Sequence, residues 1–180
     1  MQLSNTVLHE SLHGKIWVDG LVDFNESLAN FVGHAANIDF YQHALSACAQ
    51  EDCRNKTQAR LAKSRAALEN ALRFSKIITD LFNELSALYS SSQSKQAKLA
   101  ERERIFERQI GPLRLKNPKM RDFSKINNAE IMQHKLYFTG LRNFDKLFNS
   151  CSREWNCFFS EAKKRSKEFK TRPWLELFMD

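Results

Sequence analysis

From Thr57 to Tyr89 the apolar residues return at intervals of three and four: Leu61, Leu68, Leu72, Ile78, Leu81, Leu85 and then Leu88 or Tyr89. That spacing keeps one face of an α-helix apolar, so any fold of this chain must accommodate one long amphipathic helix. The 180 residues include only 5 Gly and 3 Pro, too few turn formers for a many-stranded sheet. With 42% hydrophobic and 27% charged residues the chain can bury a core, and wholesale disorder is excluded. These features predict an all-α fold, in one domain or a large piece of one.

Residues 3–13 read as a helix with Ser4 or Asn5 as cap, Leu8 and Leu12 on one face and Gly14 as its stop. Residues 15–22 (KIWVDGLV) read as an extended connector around the turn dipeptide Asp19-Gly20. A second helix runs from Asp23 or Asn25 toward Ala47, and residues 51–56 (EDCRNK) read as a polar break before the long helix. The serine-rich 90–94 separates that helix from one ending near Ile110, and the two prolines of residues 111–122 predict a loop. Helices from about Ser124 to Asn149 and from about Cys151 to Lys170 complete the plan. Residues 1–50 thus form a helix pair, and residues 51–180 a helical bundle completing the same domain.

The formal charge of +7 is unevenly spread. Residues 1–50 hold one base, Lys15, and five acids, Glu10, Asp19, Asp23, Glu26 and Asp39. A basic remainder alone would suit a helical binding module for nucleic acid or another partner. No named nucleic-acid motif and no basic-aromatic interleaving accompany it, so no specific nucleic-acid binding is expected. The acidic end attracts a divalent cation instead. The run Lys163, Lys164, Arg165, Lys167, Lys170 and Arg172 reads as a solvated face. Cys48, Cys53, Cys151 and Cys157 lack the spacing of a zinc ribbon or C-x-x-C site and read as small buried thiols, with a Cys48–Cys53 bridge as the alternative in an oxidising compartment. No apolar run is long enough to span a bilayer and no signal peptide is visible, which makes the cytoplasm the default compartment for the chain as it stands.

His9-Glu10-Ser11-Leu12-His13 is an H-E-x-x-H pattern. Positions i and i+4 project from one helix face, so both imidazoles can reach one ion. Zinc takes neutral imidazoles and a carboxylate and, in a catalytic site, leaves a position for water, whose proton Glu10 is placed to take. The pattern by itself also occurs on ordinary surface helices. Glu26, in Asn25-Glu26-Ser27, supplies a further carboxylate near the start of the next helix, and two helices joined by about ten residues can pack it over the His9/His13 face. The set His9, His13 and Glu26 is the expected zinc site, with Glu10 as general base.

The stretch VLHESLHGKIWVDGLVDFNESLANFVG resembles the active-site segment of the predicted bacterial zinc aminopeptidases. Its Asn25-Glu26 element is similar to the third-ligand segment of the wider glutamate-zincin class. The resemblance continues through ALYSSSQSKQAKLAERERIFERQ, through INNAEIMQHKLYFTGLRNFDKLF and through Trp155, Phe158 and Phe159. It implies a zinc cofactor, peptide substrates and aminopeptidase specificity, the last from the resemblance alone. Only 12 residues separate His13 from Glu26, shorter than in thermolysin-like enzymes but suited to this family. Family members usually carry a region before the H-E-x-x-H helix, often beginning with an export or lipoprotein signal, and in related peptidases such a region supplies the edge strand that holds the substrate. Only eight residues precede His9. The expectations are therefore a chain truncated relative to the family, weak or absent turnover, a cell-envelope location for any longer form, and an uncovered apolar face around Leu8, Leu12, Trp17 and Phe31 that invites self-association.

Tyr137 falls where the resembling family also places a tyrosine, and its phenol either donates to an oxyanion or packs in the core. Asn127 and Asn128 either bind a peptide terminus or cap the following helix. His34, His43 and His134 read as surface or supporting histidines. Asp23 either orients a ligand imidazole or caps the second helix. The 14 phenylalanines read as core.

Overall fold

The computed structural model describes residues 3–116, 127–169 and 173–177, and all its regular elements are α-helices. They are α1 (Leu3–His13), α2 (Val22–Ser46), α3 (Glu51–Ser90), α4 (Lys95–Lys116), α5 (Asn128–Phe138), α6 (Leu141–Ser150), α7 (Trp155–Ser166) and the short α8 (Trp174–Leu177). The all-α class is as expected. Among the described residues no helix is long and apolar enough to cross a membrane.

α2 is the central element because it is buried on nearly every side, from Phe24 to Tyr41. α1, α3, α5 and α6 all pack against it. Phe24 and Phe31 of α2 meet Phe144, Phe148, Phe158 and Trp174 in one aromatic core. α3, about 60 Å long at 1.5 Å per residue, serves two cores. Leu61, Leu68 and Ala71 join the main core, while Leu81, Leu85 and Leu88 join a second one with Ile105, Phe106 and Ile110 of α4 and Ile131 of α5.

Several boundaries differ from the sequence expectation. Ser4 and Asn5 do not cap α1 but lie in its first turn, where Ser4 Oγ donates to Asn37 Oδ1 at 2.6 Å. Residues 51–56 do not break the chain; they are the first turns of α3. Glu51 and Asp52 suit a helix N-terminus, and Asp52 pairs with Lys56 one turn on. α4 continues through Gly111 and Pro112, with Ile105, Phe106 and Ile110 packed in the second core just before them. The loop expected over 111–122 lies outside the described residues from 117 onward, as do the expected helix start near Ser124 and end at Lys170. The helix expected from there to Asn149 is two helices. Thr139 turns extended, and Gly140 at φ 72° starts α6. A Cβ on Gly140 would lie 2.6 Å from the Trp174 ring, which stacks on Phe144 at 5.7 Å.

The cysteines correct the reading as free thiols. Cys48 pairs with Cys53 across the α2–α3 turn, and Cys151 with Cys157 across the α6–α7 turn, so no free cysteine remains. Only Cys48 and Cys151 are buried. The second bridge closes a turn in which Ser152 and Arg153 adopt the left-handed conformation, a costly state that surrounding structure must hold. Each bridge closes a short loop, so removing one by double substitution to serine is expected to cost about 2 kcal/mol. Chemical denaturation of the C151S/C157S protein checks the magnitude. Alkylation of all four cysteines in denatured, unreduced native protein would show instead that thiols are the native state.

The expected uncovered apolar face is not there as drawn. Leu12 and Phe31 are core residues and Leu8 is half-buried, because α2 runs through the centre and α6 and α7 close over Phe31. Trp17 alone of that group is exposed.

Candidate metal centre

α1 and α2 are antiparallel. Ser4 reaches Asn37 and Tyr41 at one end, and His9 and His13 meet Glu26 at the other. Gly33 allows the close approach, since a Cβ there would lie 3.0 Å from the Asn5 carbonyl oxygen and 3.3 Å from His9 Cβ. His9 and His13, one turn apart, have ring centroids 5.1 Å apart and nearly perpendicular planes. His9 Nε2 faces Glu26 Oε2 at 3.3 Å and His13 Nε2 faces Glu26 Oε1 at 3.7 Å. His9, Glu10 and His13 each offer a ligand atom within 4.8 Å of one another, a group that could hold a metal ion. Among the described residues Glu26 is the carboxylate paired with both imidazoles, while Glu10 is exposed. A cavity of about 510 Å³ is lined by Thr6, His9, Glu10, His13, Trp17, Glu26 and Tyr137.

Tyr137 comes from the last turn of α5, and buried polar groups of α2 and α3 place it. Ser27 Oγ donates to the Leu136 carbonyl at 2.8 Å, Asn30 Nδ2 to the Tyr137 carbonyl at 2.6 Å and Ser75 Oγ to the Phe138 carbonyl at 2.6 Å. These bonds satisfy carbonyls that the end of α5 leaves without helical partners. The Tyr137 ring lies 6.3 Å from the His9 ring. The negative charge of Glu26, then burial, then the charge of Glu10 push the phenol above its ordinary pKa, so it keeps its proton and stays a donor.

The Nδ1 atoms of His9 and His13 are buried without a hydrogen-bond partner among the described residues, so both rings are engaged through Nε2. Behind them sits His34. Burial, with His9 as a lesser cause, lowers its pKa to about 4. The unfolded chain then takes up the proton first. Stability is fully present above about pH 6.5 and falls by up to about 3 kcal/mol as the pH drops toward 4. Urea unfolding of metal-free protein at pH 7 and pH 4.5 should show this loss, and His34→Gln should remove most of it. An equal acid loss in the variant would place the sensitivity elsewhere.

Of the site residues expected from sequence, His9, Glu10, His13, Glu26 and Tyr137 line one cavity. Asn127 and Asn128 do not join them; they stand at the other end of α5, about 13 Å along its axis from Tyr137. Asn127 forms a capping box, accepting from Glu130 N–H and donating its own N–H to Glu130, each at 3.0 Å. Asn128 Oδ1 accepts from the Tyr89 hydroxyl at 3.3 Å. Among the described residues Asp23 bonds to no imidazole; it accepts from Phe24 N–H and from Trp174 Nε1–H. His43 is exposed, and His134 packs edge-on against Phe74.

The polar residues around Glu26 hold the site together in a way not expected from their place in the Asn25-Glu26-Ser27 element. Asn25 holds the connector by accepting from Val18 N–H at 2.9 Å and donating to the Val18 carbonyl at 2.8 Å. Asn25, Ser27 and Asn30 are all at most 2% exposed. Their signal was present, because polar residues on a helix otherwise apolar all round must have partners.

No curated protein and no solved structure matches the chain. A family model described as "Putative aminopeptidase" matches residues 1–172. Covering nearly the whole chain, that match extends across the helices that carry His9, His13 and Glu26 and across Tyr137 of α5, and the chain therefore belongs to this aminopeptidase family.

Proposed function

We propose that the chain is a zinc-dependent metallopeptidase of aminopeptidase type, with His9, His13 and Glu26 as ligands, Glu10 as general base and Tyr137 as an oxyanion donor. The observation that carries this reading is the single Glu26 carboxylate facing both Nε2 atoms in a cavity that also holds Glu10 and Tyr137. The separations of 3.3 and 3.7 Å exceed those of strong hydrogen bonds. They fit the distance of about 3.3 Å between neighbouring ligand atoms of a tetrahedral zinc with bonds near 2.0–2.1 Å. Two imidazoles and one carboxylate are also the donor set of hydrolytic zinc sites. Glu10 is the rival third ligand by distance. Glu26 is favoured because it engages both rings, which leaves Glu10 free for proton transfer.

A zinc ion held there supplies Lewis-acid polarisation of the substrate carbonyl and activation of water. Glu10 takes the proton of the attacking water on its carboxylate and delivers it to the leaving amine. Tyr137 donates its phenolic hydrogen to the carbonyl oxygen as negative charge develops there. Two disulfides favour an oxidising compartment as the place of action. Metal analysis of the purified chain, followed by hydrolysis of unblocked and amino-blocked peptides, tests the reading. Zinc with cleavage confined to unblocked peptides is the expected result, and folded protein without zinc would end the proposal.

A further inference from the structure

We propose that Trp17 is the specificity-determining residue of this cavity, its indole face receiving a large apolar or aromatic side chain of the peptide residue beside the scissile bond. The proposal rests on the peptidase reading of the site. Trp17 lines the cavity next to the two imidazoles and the carboxylates, 5.5 Å from the His13 ring and edge-on to it, yet 52% of its surface is exposed. A lone exposed apolar residue is ordinary on a protein surface. This one is held in place. Ile16 before it is buried, and the N–H groups of Lys15 and Ile16 both donate to the Leu12 carbonyl. Val18 after it is clamped through its N–H and carbonyl by the buried Asn25 amide, the residue next to Glu26. With both neighbours tied down, the indole is presented to the cavity and cannot easily fold onto the core.

The other two tryptophans show the contrast. Trp155 and Trp174 lie in the aromatic core and donate their indole N–H groups to Asp39 and Asp23. The Trp17 N–H has no partner among the described residues. The other lining groups are Thr6, His9, Glu10, His13, Glu26 and Tyr137; the Tyr137 ring adds some exposed apolar surface, and the Trp17 indole offers the larger share. A cationic side chain would be drawn to the indole face by the ring itself, but no nearby carboxylate is spare to pair with it as well. Glu26 is engaged by the imidazoles, Asp23 is bonded to Trp174 and to Phe24 N–H, and Glu10 is the proposed base. An apolar side chain is the better complement, since it removes the exposed indole from water.

The test compares Phe-Ala-Ala, Gly-Ala-Ala and Arg-Ala-Ala on zinc-loaded full chain. Wild type is expected to favour the phenylalanyl over the glycyl peptide in kcat/KM by about tenfold or more. In Trp17→Ala that ratio should collapse to within about threefold, and Trp17→Phe, which keeps a ring, should retain part of it. An unchanged ratio in Trp17→Ala, or an arginyl peptide preferred by wild type, would overturn the proposal. If wild type cleaves none of the three, the indole N–H signal of Trp17, assigned by its loss in Trp17→Phe, decides the matter in a peptide titration. Movement of that signal with phenylalanyl affinity about tenfold above glycyl keeps the subsite in a chain that binds without cleaving, and the zinc analysis then decides the peptidase reading. A signal that stays still, or equal affinities, rejects the subsite.

Discussion

Replacing Glu26 or His13 with alanine is expected to take the chain from about one zinc ion per molecule to less than about a tenth. A three-residue site that loses one donor must replace it with water, and even the groups that merely orient ligands are worth 10–100-fold in metal affinity. Glu26 carries particular weight because, among the described residues, it is the one that joins α2 to both imidazoles of α1. The same experiment separates the two carboxylates. Glu10→Ala should keep the ion while Glu26→Ala loses it, and the reverse pattern would make Glu10 the ligand. Elemental analysis of each variant after gel filtration supplies the measurement. Far-UV circular dichroism shows whether the helices persist, as they should, since Glu26 is outside the buried aromatic core.

Glu10→Gln should retain zinc and lower turnover by about 10²–10⁴-fold. The amide has nearly the shape of the carboxylate, so the geometry of the cavity is kept while the proton acceptor is removed. Glu10 is exposed and makes no ion pair with either imidazole among the described residues, so little stability depends on its charge. Zinc-loaded variant and wild type are to be compared on the same unblocked peptide. A variant with the wild-type rate would remove Glu10 from the mechanism without disturbing the metal assignment.

Helical class was readable because it depends on neighbours. The threes and fours of Leu61 to Leu88 become the buried stripe of α3, and scarce glycine and proline leave little to interrupt it. Helix ends were less readable. Residues 51–56 are polar, yet polarity does not stop a helix whose first-turn acids suit its N-terminus. Gly140 was expected inside a helix, and only the Trp174 ring packed against it shows why the chain turns there. The second disulfide was missed because spacing alone does not reveal that the α6–α7 turn brings Cys151 and Cys157 together.

The sequence by itself determined that His9 and His13 share a helix face, since the i, i+4 relation is a property of helix geometry. The short connector made Glu26 a natural partner. Tertiary structure alone decided what completes the cavity. Tyr137, more than a hundred residues along the chain from Glu26, arrives because Ser27, Asn30 and Ser75 satisfy the last carbonyls of α5. Trp17 faces the same space because the Asn25 amide holds Val18. Local periodicity is set by backbone hydrogen bonds four residues apart and is written in any short window of sequence. Buried polar groups must instead find partners wherever the packed core brings them, and that choice exists only once the helices have come together.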